Sequence, residues 1–145
     1  MEHHSILRVV SKMLIPPIIL FALYVQWHGD YGPGGGFQAG VVFAVAFILY
    51  GLVFGVDAMT RVTPPRLLHI FAGAGVLIYA GTGIVTMLLG DAFLGYDVLA
   101  HDPVHGQEWG ILAVEAGVGI TVAAVMMSIF IAFVSHTPPI EDEDR

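Results

Sequence analysis

One carboxylate stands inside an apolar stretch. It is Glu115, in AVEAGVGITVAAVMM, six residues beyond Trp109. At ~1.5 Å per helical residue it lies roughly 9 Å along a helix from that tryptophan. A charge at the centre of a bilayer costs about 2.5–3.5 kcal/mol on insertion scales and less near the interface, so an intramembrane carboxyl is by default a functional-site hypothesis. The chemistry it could do is proton or cation handling, because loss of water disfavours the bare carboxylate and a bound proton or ion relieves that cost. A carboxylate hydrogen-bonded at a helix contact, or reaching water at the surface, is the plainer reading and stays open. Gly119 and Ala123 share its stripe, while Ala113, Gly117 and Thr121 form a second one. Small residues let helices approach closely in lipid, so the Glu115 face suits protein contact.

The second candidate is HGDYGPGGGFQAG, residues 28–40, with six glycines in thirteen positions. Ordering a glycine triplet is entropically costly. Gly34, Gly36 and Ala39 trace a G-x-G-x-x-A pattern, but no strand precedes it and no Lys-Ser/Thr follows, so a phosphate cradle is excluded. Two readings remain. The bare N–H groups before the next span could cap a carboxylate or carbonyl from a neighbouring helix. Alternatively the loop is a tight hairpin with Phe37 as its packing anchor.

The histidines carry less. His69 falls near the end of a span, where a pH-sensing role competes with a simple interfacial position. No histidine lies mid-span, which argues against bis-histidine haem. His101 and His105 in HDPVH would pair on a metal only in a helix, and Asp102-Pro103 argues against one there. Asp91, Asp97, Asp102 and Glu108 make an acidic loop that reads as solvated. No metal site, cofactor or enzymatic centre is implied.

These residues need elements to hold them. The chain has 145 residues, 57% hydrophobic and 12% charged, where a soluble domain carries roughly 25% charged. It has no cysteine, which excludes disulfides and thiolate chemistry. Its net charge is −7, and five scattered Lys and Arg make no nucleic-acid face. The expected fold is an all-α integral membrane protein. One four-helix domain, residues 1–136, contains spans at about 6–27, 36–56, 67–89 and 110–134. An acidic tail, residues 137–145, is expected to be disordered. The first span is read as retained rather than cleaved, since no small-x-small site follows it. Pro16-Pro17 should kink or break it.

Orientation follows from Arg8, Lys12, Arg61 and Arg66, which flank the two ends of the spans on one side, against no Lys or Arg in the other two loops. By the positive-inside rule both termini are cytoplasmic and the glycine loop faces out, with Trp27 and Trp109 at the outer interface. Packing faces are expected at Gly36-Gly40-Ala44, at a Gly51-Gly55 pair, among Gly73, Gly75, Gly81 and Gly83, and at Gly117, Gly119 and Ala123. They could serve internal packing or partner chains.

HGDYGPGGGFQAG, then GTGIVTMLLGDAFLGY, then VEAGVGITVAAVMMSIF, resemble the B subunit of Mrp-type multi-subunit Na⁺/H⁺ antiporters, the MnhB family. The carriers are Pro33, Gly34, Gly35, Gly36, Phe37 and Gly40, with Glu115 before Gly117 as a second match. The resemblance covers essentially the whole chain. It implies a subunit in a prokaryotic plasma-membrane assembly exchanging Na⁺ for H⁺, beside large complex-I-like chains and other small membrane subunits. The motif also occurs in membrane-bound hydrogenases, where the same module would serve another complex. An assembly-only role and an autonomous channel are the other classes. One intramembrane carboxylate does not make a membrane-crossing relay, which fits a part better than a whole pump.

Overall fold

Proline, glycine and aspartate set where the helices begin and turn. The structure, a computed structural model, describes residues 2–29 and 34–136, with side chains from Ser5 onward. Pro33 of the loop motif and the acidic tail from residue 137 lie outside the described residues. Helix α1 spans Glu2–Trp27 and continues through Pro16 and Pro17 without a break. Helix α2 spans Gly36–Phe54. A short helix, α3, spans Val56–Val62. Helix α4 spans Pro65–Leu88 and α5 spans Pro103–Ser135. A single 3₁₀ turn, Tyr96–Leu99, lies between the last two. Four of these helices are long and apolar enough to cross a membrane.

Two boundaries differ from the sequence reading, each for a local reason. The last helix begins at Pro103, seven residues before the span expected from about residue 110. Pro103 occupies the first helical position, where a missing N–H costs nothing, and Asp102 caps it by accepting from the Val104 N–H at 3.1 Å. Asp102-Pro103 therefore starts a helix instead of forbidding one. His105 enters its first turn, 3.1 Å from Asp102 Oδ2, and His101 stays outside. The second correction concerns Gly55. It has φ +95° and ψ 150°, a region essentially restricted to glycine, and it turns the chain from α2 into α3. A Cβ there would meet nothing within 4 Å, so Gly55 is a corner and not half of a packing pair.

The helices form a layer in the order α1, α2, α5, α4. Helix α5 lies between α2 and α4 and touches α1 lightly. Its 33 residues extend about 50 Å, well beyond a ~30 Å hydrocarbon core. The excess first turns receive the 3₁₀ turn: a Cβ on Gly106 would lie 2.5 Å from the Tyr96 carbonyl, and one on Gly110 would enter the Tyr96 ring. Burial, and to a lesser degree the neighbouring Tyr79, holds the Tyr96 phenol above its usual pKa.

Far from the glycine loop, Met59 of α3 is fully buried among Ala44, Leu68, Ala123 and Met127. Gly51 makes room for it, since a Cβ there would stand 2.8 Å from Met59 Sδ and 2.9 Å from the Phe130 ring. At the glycine-loop end, Thr86 has no exposed surface. Its hydroxyl accepts from the Leu94 N–H at 3.0 Å and lies 2.8 Å from the Gly83 carbonyl and 3.1 Å from that of Ala92. That clamp holds Leu94 at φ +63°, uncommon for a branched residue.

Candidate functional site at the glycine loop

Glu115 is half-buried on α5 and faces the start of α2. The contact is defined by side chains that are absent. A Cβ on Gly29 would stand 2.6 Å from Glu115 Oε2, and one on Gly35 would stand 2.7 Å from Oε1. A Cβ on Gly36 would overlap the Glu115 backbone carbonyl. Two glycines thus collar the carboxylate while a third admits its backbone. The helix α2 begins at Gly36, where N–H groups without an intrahelical partner and the macrodipole give positive potential beside the carboxyl. Gly35 has extended backbone and supplies no side-chain cap.

The same two helices stay close further along. A Cβ on Gly40 would lie 2.5 Å from the Gly119 carbonyl, and Ala44 and Ala123 are buried below. Thus the Glu115-Gly119-Ala123 stripe meets the Gly36-Gly40-Ala44 stripe. The second stripe of α5 meets α4: a Cβ on Gly117 would lie 2.7 Å from the Gly75 carbonyl, and Thr121 donates to the Ala72 carbonyl at 3.3 Å. Gly34 lies against Val25 of α1. Phe37, in contrast, is 63% exposed.

Other sequence candidates lie apart. Of the four glycines expected on α4, Gly75 and Gly83 make its contacts within the chain, while Gly73 and Gly81 have nothing within 4 Å of an added Cβ. His69 is exposed, and its Nδ1 lies 2.6 Å from the Pro65 carbonyl of its own helix. The acidic loop is engaged locally: Asp91 accepts from the Ala92 N–H at 2.7 Å and Asp97 from the Gln107 amide at 2.6 Å. Among the described residues no group of three metal-ligating side chains is found.

Two residues near the site escaped the sequence reading. Gly29 was one glycine among many, and only the fold brings it against Glu115. Gln26 of α1 places its Oε1 beside Gly119, since a Cβ there would be 2.7 Å away. Its signal was available: a lone amide in an apolar run, one residue before Trp27.

Comparison with known proteins adds a consistent set of relatives. Residues 6–128 match the family described as a domain related to the MnhB subunit of a Na⁺/H⁺ antiporter. A Staphylococcus aureus (strain Newman) protein named antiporter subunit mnhB2 is 35% identical, with the match covering 83% of this chain and 92% of that protein. The protein of the same name from Staphylococcus haemolyticus (strain JCSC1435) is 33% identical over 90% of this chain and 94% of its own.

Proposed function

We propose a function from one premise: the chain belongs to the MnhB-related family of Na⁺/H⁺ antiporter subunits. It is a small multi-pass subunit of a prokaryotic plasma-membrane antiporter, with a single four-helix domain and both termini in the cytoplasm. The positive-inside count supports that orientation, since Arg8, Lys12, Arg61 and Arg66 share one side. Its partners are the other subunits of the assembly, and it works within that assembly rather than alone. Glu115 contributes to a proton or Na⁺ path that opens at the outer surface.

The observation that carries this role is the collar of Gly29 and Gly35 around the Glu115 oxygens. A side chain at either position would crowd the carboxyl, so the loop keeps the group accessible to small cations while holding it at the positive end of α2. The test is Na⁺/H⁺ exchange in vesicles carrying the whole complex. Glu115→Ala should abolish exchange while the complex is still recovered. Normal exchange in an assembled Glu115→Ala complex would remove Glu115 from the path.

A second reading, a purely architectural subunit, draws support from Gly36. Its contact is with the Glu115 backbone, which no substitution of the side chain alters. On that reading Glu115→Gln exchanges normally in the assembled complex.

A further inference from the structure

One face of the helical layer carries an apolar groove of about 550 Å³. It runs from Gln26 and Trp27, at the glycine-loop end, to Thr63 and Leu67 at the other. Its two ends therefore lie at opposite ends of the spanning helices. The floor includes Gly40, Gly119 and Ala123, which keep it shallow in side chains and close to backbone. Such a floor allows close approach by another helix.

The wall holds one polar contradiction. Gln26 lines the groove, and its Nε2, though shut off from solvent, has no hydrogen-bond partner among the described residues. Burying an amide donor unpaired costs about as much as losing a hydrogen bond outright. Its neighbour on the other side is the Gly119 stretch of α5, which meets the amide oxygen. A lipid acyl chain filling the groove would offer no acceptor. Residues 137–145, which contain EDEDR, are too charged for an apolar groove.

We infer that the groove is the seat of one membrane-spanning helix from a partner chain, carrying a hydrogen-bond acceptor level with Gln26. A small rotation of the amide then pairs Nε2 across the interface. The inference rests on the chain being one subunit of an assembly and not on the role of Glu115.

The test uses the assembled complex with a photo-crosslinking residue, p-benzoyl-phenylalanine, in place of Phe71 or Phe43, two aromatic groove residues. Both positions should crosslink to the same spanning segment of one partner chain. Adducts with lipid, with a second copy of this chain, or with two different partners overturn the proposal. Gln26→Leu should lower that crosslink yield after detergent dilution by about threefold, the scale of one interhelical hydrogen bond in a membrane. An unchanged yield removes the acceptor from the inference. Glu115→Ala should leave both crosslinks in place, which separates this result from failure of the ion-path reading.

Discussion

At the scale of single residues, one carbonyl oxygen decides what position 36 can hold. Gly36→Ala drives a methyl into the Glu115 backbone, and two helices must separate to admit it. Overpacking of this kind costs about 1–3 kcal/mol, here at a contact with no flexible partner. Thermal unfolding of the purified complex should therefore fall sharply. Gly35→Ala meets only the end of a side chain, Glu115 Oε1. That complex should assemble with a melting temperature near wild type while its exchange rate drops, measured in the same vesicles. The difference between neighbours was not legible in GGG, where the three letters are identical. Glu115 itself was legible, because a charge among apolar residues announces its own cost. What faced it was not, since Gly29 and Gly35 are defined by a contact that only packing creates.

Among the elements, the chain distinguishes glycines that pack from glycines that turn. Gly55→Ala should cost about 1–3 kcal/mol through its backbone angles alone, although a methyl there touches nothing. Gly73→Ala should leave the chain's own packing unstrained, whereas Gly75→Ala, two residues away, must push into Thr121 and the Gly117 carbonyl. Melting curves of the two variants, compared directly, check this. Met59→Ala should lower stability by about 2–5 kcal/mol, because α3 is tied to the layer by that fully buried side chain. Four spans were readable from hydropathy and the two faces of α5 from residue spacing, but not which helices they pack against. The helical turn at Asp102-Pro103 was misread because Asp-Pro serves both to end a helix and to begin one. Met59 gave no signal, since α3 has only seven residues and too little periodicity to show a buried face.

For the whole molecule, the proposed role as one subunit of an assembly makes a direct prediction. Reconstituted alone, the chain should show no Na⁺/H⁺ exchange, and pH-sensitive dye in Na⁺-jumped vesicles measures this. Recovery of exchange on adding the remaining subunits would complete the expectation. Many large apolar side chains stand exposed, among them Leu20, Leu77 and Leu88. In a bilayer such faces meet lipid or neighbouring helices, so their exposure is no liability there. The position of α5 has a consequence for biosynthesis. It is translated after the other three long helices, yet α4 depends chiefly on it for packing. While the ribosome is still short of residue 103, α1 and α2 can pair but α4 must wait in the bilayer without its main neighbour. A membrane insertase that shelters single helices would hold it during that interval. Chains arrested before α5 should leave α4 exposed to intramembrane proteolysis.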